Sequence, residues 1–413
     1  MDCKEFQQIK EKYLKGKVSP GEEKAVEEHL ENCPACRQVL DECLAAVEKN
    51  GKVFKEEWSE DCGLDEKKQR RILLRARYKN RIGTAVFLLL LMAVLSIAGS
   101  FLSSLYFNWG GENSRLYRTQ KTAALLTEFT FPNVTMPLTF DSHPNFFSRA
   151  GWGHSSVEIK PYFVAMGNYA LQKQVGKESK VIGHLNVNQL FSSVLTRRQW
   201  ADGSYQHYLY FYHPDQLSDL SDNGRYIAEA GEDTWQALDI LPEGTVAEMA
   251  LSFREVYSID QVKDMLDEFD LDITWYALAT GTEGTSRDHR EPLSTNDGAW
   301  GMPDLSLHML SQNSTVSDED IALREEYFLE SMKFLVDNEK IARRVYQGNP
   351  QKLLLEQRYQ YIKDNGIQVY GVVVTGPTKE LLKLQNLESV HSPALGDVGL
   401  WNWFNRSFSG TIY

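Results

Sequence analysis

A chain of 413 residues with a net charge of −13 has room for two or three domains at about 150 residues each. The charge is unevenly placed: residues 1 to 81 hold 18 basic and 17 acidic side chains, residues 82 to 111 hold none, and the rest carries 26 basic against 40 acidic. This distribution disfavours a single soluble enzyme and a basic nucleic-acid binder, so no direct nucleic-acid partner is expected.

In chain order, Phe6, Ile9, Tyr13 and Leu14 share one side of a short helix that Gly16 would end. Ser19-Pro20-Gly21-Glu22 then supplies an N-cap, a proline at the first helical position and the glutamate of a capping box. A second helix from Pro20 to Leu30 follows, with His29 in its last turn. Pro34 opens a third, whose apolar face is Val39, Leu40, Leu44 and Val47. All five cysteines, Cys3, Cys33, Cys36, Cys43 and Cys62, precede the uncharged stretch, and clustered cysteines in a reducing interior point to metal or redox chemistry.

His29-Leu-Glu-Asn-Cys33-Pro-Ala-Cys36 brings three soft donors together across a helix-to-helix turn. A structural Zn²⁺ site wants four N or S ligands in a tetrahedron, and Cys3, at the start of the first helix, is the natural fourth. Cys43 is the rival, but two turns beyond Cys36 it lies about 10 Å along the helix axis. The bland alternative is a set of small buried side chains with one solvated histidine. A dithiol switch among released thiolates is a minority alternative.

Cys3, the segment Tyr13-Leu-Lys-Gly-Lys-Val-Ser-Pro-Gly-Glu-Glu and the segment His29 to Cys36 resemble the zinc-associated anti-sigma domain of bacterial anti-sigma factors over about the first 45 residues. Lys15 and Lys17 stand where that family commonly has acidic residues. The resemblance implies zinc on Cys3, His29, Cys33 and Cys36, and a module at residues 1–50 that occludes an extracytoplasmic-function sigma factor. In many such proteins this module is tied to one membrane helix and an outer sensor.

Residues 51–81 read as a basic juxtamembrane helix. From Leu64 to Tyr78 apolar residues, Leu73 and Leu74 among them, alternate with basic ones, which suits either a partner's groove or a rigid stalk. Residues 82–107 carry the roughly 20 apolar residues needed to cross about 30 Å of hydrocarbon, so membrane lipid is an expected partner. Eight Lys and Arg between 67 and 81 precede the span, whereas Tyr106, Phe107 and Trp109 flank its far end. Positive residues stay inside and aromatics settle at the interface. The chain is therefore expected to be single-pass in the cell membrane, N-terminus cytoplasmic and C-terminal domain extracytoplasmic. Ser96, Ser100 and Ser104, with Gly99 and Ser103 alongside, would allow a homodimer through the helix or easy unwinding for an intramembrane protease.

Beyond the span, Glu112 to Thr127 reads as a short juxtamembrane linker or helix. Residues 108–235 are expected to be β-rich, with Tyr205 to His213 as the clearest strand and a weak metal alternative at His207 and His213. Residues 236–413 read as an α+β, or α/β, sensor or regulator domain. Its strands fall at Val246 to Phe253, Leu271 to Leu278, Gln368 to Thr375 and Val390 to Leu400, with a long loop from Gly281 to Ser314. Val369 to Pro377 also resembles part of the C-terminal region of sigma factor regulators from Gram-positive bacteria.

No G-x-S-x-G, H-E-x-x-H, P-loop or dinucleotide glycine pattern occurs, and Ser155 beside His154 reads as a polar loop. No catalytic residue and no enzyme activity are expected. The fold class is thus a small all-α zinc-bound helical module, a single transmembrane helix, and an extracytoplasmic α+β (or α/β) domain with a β-rich N-terminal part. The function expected is sequestration of the sigma factor and its release on an outside signal, with a second membrane regulator or protease as a further partner. The alternatives are a zinc or thiol redox sensor acting on a different partner and a cell-surface enzyme.

Overall fold

A computed structural model describes residues 1–14, 16–49, 66–138, 155–201, 209–217, 222–283, 292–294, 298–304 and 321–403. The chain divides into two units, Met1–Leu91 and Met92–Tyr413.

The first unit opens with three helices, α1 (Cys3–Leu14), α2 (Pro20–Asn32) and α3 (Pro34–Lys49). Gly16, at φ +63°, takes the left-handed conformation after α1 that other residues avoid. At the start of α2 the Glu22 carboxylate accepts the Ser19 N–H at 2.9 Å and the Ser19 hydroxyl at 2.8 Å, tying down the orphan groups of the helix end. The core is small: Phe6, Val26, Leu30 and Cys36 are buried, with Ile9, Tyr13, Cys33 and Leu40 packed around them.

Helix α4 (Glu66–Asn108) is continuous for 43 residues and carries both the basic residues up to Arg81 and the apolar stretch after them. Its residues 74–108 are long and apolar enough to cross a membrane. Leu89, Met92 and Ile97 stand 67%, 66% and 71% exposed. Leu74 is exposed, and the side chains of Ile72 and Leu73 lie outside the described residues, as do Cys62 and Leu64.

In the second unit α5 (Arg115–Thr130) is capped by Ser114, whose Oγ accepts the Tyr117 N–H at 3.2 Å. Of the two readings, linker or helix, the helix forms, and it is a core helix: nearly every side chain from Thr119 to Thr130 is buried. Its threonines tolerate this because Thr119, Thr122, Thr127 and Thr130 each donate to the carbonyl four residues back.

Next come β1 (Val134–Thr135), β2 (Ser156–Lys160), β3 (Val164–Val175), β4 (Glu178–Leu190) and β5 (Ser193–Trp200), an antiparallel sheet of order β1-β3-β4-β5 with β2 also on β3. Within 209–213 the only strand pairing among the described residues is a bridge from Phe211 to Leu293. The expected strand at Tyr205 to His213 is therefore not seen in its described part, and Tyr205, His207 and His154 lie outside the described residues. Ser155 is structural, accepting the Ala170 N–H and donating to the Pro137 carbonyl.

After α6 (Pro214–Leu217) and α7 (Asp222–Ile240) the chain forms β6 (Thr245–Tyr257), α8 (Ile259–Leu266), β7 (Asp272–Leu278), β8 (Gly301–Pro303), α9 (Ile321–Asp337), α10 (Glu339–Val345), α11 (Leu355–Asn365), β9 (Val369–Pro377), α12 (Thr378–Lys383) and β10 (Val390–Leu400). The sheet order is β10-β6-β9-β7-β8, antiparallel throughout, which makes the domain α+β. Strand β9 lies between β6 and β7, and β6 lies between β9 and β10. These are two interlocked split β-α-β units of the ferredoxin-like kind, with β8 added at the edge within the stretch expected to be loop.

Every residue of β9 is buried because both faces of this sheet are covered. Met249, Leu251, Val372 and Val374 join the large core that also contains α5, and Ala250, Trp275, Tyr370 and Val373 pack with Leu209, Phe211 and Leu293. Helix α5 joins the two sheets: Gln120 Nε2 donates to Tyr169 OH on β3 at 2.7 Å, and Trp275 Nε1 on β7 donates to the Glu128 carbonyl at 2.8 Å.

Candidate metal centre

The three-helix unit brings Cys3, His29, Cys33 and Cys36 together, one ligand atom from each lying within 4.8 Å of all the others. Each comes from a helix end: Cys3 begins α1, His29 sits in the last turn of α2, Cys33 is its C-cap, and Cys36 lies in the first turn of α3. Pro34 makes this local geometry by ending α2 and starting α3 within a single residue. Cys43 is left outside the cluster.

Three features of the cluster fit a tetrahedral metal. Cys3 Sγ and Cys33 Sγ are 3.8 Å apart, too far for a disulfide and close to the edge of a tetrahedron with metal–sulfur bonds of about 2.3 Å. His29 Nε2 is buried and has no hydrogen-bond partner, a costly state that a ligand in the cluster would relieve. The Phe6 ring, 5.8 Å from the imidazole, closes the apolar side.

The thiols differ in character. The Cys36 N–H, aimed at the sulfur of Cys33, and then the Cys36 and Cys3 thiols lower the Cys33 pKa. Burial, followed by the neighbouring Cys33 and Cys3 thiols, pushes Cys36 up to about 12. Three thiolates cannot share this space without a cation, and a divalent ion is the kind of charge that would let all of them ionise.

Among the described residues of the second unit, buried charged side chains also pair across distances in the chain that no sequence spacing signals. Lys173 on β3 bridges Glu248 on β6 and Asp397 on β10. At one end of the α+β sheet, Arg358 of α11 lies 3.6 Å from Glu283, donates to Thr280 and covers the Trp300 ring at 4.5 Å. Burial, with Glu283 nearby, drives the Tyr370 hydroxyl well above its usual pKa. The charged partners in each cluster lie far apart in the chain and form no spaced motif.

Two family profiles match the chain. The one described as "Putative zinc-finger" covers residues 3–37, and the one described as "Sigma factor regulator C-terminal" covers residues 238–397. The first coincides with the four-donor cluster and the second with the split β-α-β domain. The two matched regions lie on either side of the apolar helix α4. A curated relative similar over nearly its whole length is "Probable anti-sigma-M factor YhdL" of Bacillus subtilis (strain 168), 28% identical over 407 residues, covering 97% of this chain and 99% of the relative. No solved structure matches the chain.

Proposed function

We propose that this protein is a membrane-tethered anti-sigma factor that sequesters an extracytoplasmic-function sigma factor and releases it on an outside signal. The observation that carries the reading is the four-donor cluster at the head of a chain whose full length resembles an anti-sigma factor.

In this reading Cys3, His29, Cys33 and Cys36 hold Zn²⁺. When bound, the ion supplies charge neutralisation for the thiolates and fixes the relative directions of α1, α2 and α3. The chain's own residues provide the rest: Phe6, Val26 and Leu30 fill the gap between the helices, and the outward faces are free to meet the sigma factor. So small a core is marginal by itself, which is why the metal and the grip are proposed to be coupled.

Residues 1–50 form the inhibitory module and 51–81 the basic segment on the cytoplasmic side. Residues 82–107 form the single span in the cell membrane, and 108–235 with 236–413 form the extracytoplasmic part. The charge asymmetry about the apolar helix supports this orientation. The role is regulatory and not enzymatic. A second membrane regulator or a protease acting on the outer part would accomplish release. The outer part offers no cysteine to stabilise or sense with, since all five lie in residues 3 to 62. Ser103 is buried and Ser96, Gly99 and Ser100 are half-buried within the chain, so a homodimer through the helix would use what Ser96, Ser100 and the exposed Ser104 leave open.

Affinity purification of the full chain from its own cells, with mass spectrometry of what it retains, tests the proposal. A sigma factor recovered at near-equal amount supports it, and its reproducible absence refutes it.

A further inference from the structure

The outer end of α4 is gripped by the turn between β2 and β3. Ser103, fully buried, accepts the Phe163 N–H at 2.8 Å. A Cβ on Gly99 would stand 3.4 Å from the Pro161 side chain. The Tyr106 ring packs edge-on against Phe163, 5.2 Å between centroids, and the ring of Phe191, in the turn between β4 and β5, stacks on Phe163 at 4.9 Å. Two hairpin turns therefore meet the helix at residues 99 to 106.

That place has a depth. A helix rising 1.5 Å per residue from Ile82 has crossed about 30 Å of hydrocarbon near residue 102, so on the single-span reading proposed above, on which this inference rests, the turns sit at the outer face of the bilayer. Their composition is wrong for water. Tyr162 is 67% exposed, Leu190 54%, Phe191 50% and Leu195 74%. Tyr162, Phe163 and Phe191 also hold left-handed backbone at φ +66°, +60° and +51°, where soluble hairpins place Gly, Asn or Asp. Bulky residues kept in that conformation while facing out mark a functional surface. Arg197 follows Leu195 on the same exposed face of β5, about 7 Å further from the turn, a spacing that sets a cation at lipid-phosphate level when the leucine is among acyl chains.

We infer that the β2–β3 and β4–β5 turns form a membrane-seated tip, with Tyr162, Leu190, Phe191 and Leu195 entering the outer interface of the bilayer that α4 crosses and Arg197 facing its phosphates. The occupant is lipid because the tip is fastened to the spanning helix itself at the height where hydrocarbon ends. Aromatic and leucine side chains at that level are what an interfacial anchor uses. The tip fixes the height and tilt of the outer domain above the membrane.

The absence of cysteine after Cys62 provides the test. Full chains carrying Tyr162→Cys, Leu195→Cys or, at the far end of the same sheet, Lys180→Cys are labelled in sealed right-side-out vesicles with a membrane-impermeant, environment-sensitive thiol fluorophore. Each is then quenched with aqueous iodide or with doxyl-labelled lipid. The expected result is several-fold weaker iodide quenching at 162 and 195 than at 180, with doxyl quenching at 162 and 195 only. Labelling at 180 with equal iodide quenching at all three sites overturns the tip while leaving the span intact. Protection at 162 and 195 without doxyl quenching means that protein, a second copy included, covers the tip, and also overturns it. Failure to label Lys180→Cys from outside refutes the span reading and the tip with it.

Discussion

Lys173 Nζ lies 2.6 Å from Glu248 Oε2, and the two side chains are 5% and 0% exposed. The pair joins the two sheets, and it is fully dressed: Asn133 Nδ2 donates to Glu248 at 2.6 Å, the Asp397 N–H donates to it at 3.2 Å, and Lys173 reaches Asp397 at 3.1 Å. Burial raises the Glu248 pKa, and Lys173 opposes the rise.

Removing the cation leaves a buried carboxylate without its counter-ion, so Lys173→Met should cost about 3–5 kcal/mol at neutral pH. The sign with pH follows from the raised folded-state pKa. Glu248's contribution is fully present below the unfolded value of about 4.5 and is lost as pH rises through the folded one. Without Lys173 that folded value climbs further and the losing window widens upward. Thermal melts of the full chain across a pH series should show the variant nearest to the parent in acid and furthest at neutrality. A deficit that does not change with pH contradicts this account.

The Arg358–Glu283 pair makes the same kind of prediction without a metal or membrane. Arg358→Leu strands a carboxylate that already accepts the Thr280 N–H through both oxygens at 3.0 Å, at a cost of about 3–5 kcal/mol. The double variant Arg358→Leu, Glu283→Leu should recover a good part of that in denaturant unfolding. If the double variant is as unstable as the sum of the singles, the two groups are not coupled.

Ser103 and Ser104 are neighbours on one helix with opposite fates, Ser103 buried against Phe163 and Ser104 exposed. Ser103→Ala removes the acceptor of the half-buried Phe163 N–H and should destabilise the second unit by about 1 kcal/mol, whereas Ser104→Ala should leave its melting point unchanged. Equal effects would show that the helix end is not held by the β2–β3 turn.

For the metal centre, Cys33→Ser or His29→Ala should abolish stoichiometric zinc in the purified chain and leave α1 to α3 unprotected in hydrogen exchange, since metal-site free energy is folding free energy in modules of this size. Cys43→Ser should keep both zinc and protection. Loss of zinc from Cys43→Ser, with Cys3→Ser unaffected, would make Cys43 the fourth ligand in place of Cys3.

The sequence made local features legible and hid those that depend on distant pairing. His29, Cys33 and Cys36 fall within eight residues, so one helix break at Pro34 suffices to bring them together, and Cys3 needs only to sit at the start of α1. The capping boxes at Ser19 and Ser258 and the β-branched runs of β6 and β9 likewise carry their own signals. Strand order does not: insertion of β9 between β6 and β7 is decided by which faces must be covered. Helix α5 misleads because its threonines and Gln120 look like solvent-facing polarity, yet each of the buried hydroxyls donates within its own helix and the Gln120 amide N–H donates to Tyr169. Lys173 with Glu248, and Arg358 with Glu283, share no spacing at all.

The most direct test of the central claim measures zinc and sigma factor together in the full chain purified under reductant from its own cells, for the parent and for Cys33→Ser. The account predicts about one zinc and one sigma factor per parent chain and neither in the variant. A parent chain free of zinc, or a Cys33→Ser chain that retains its sigma factor undiminished, contradicts it.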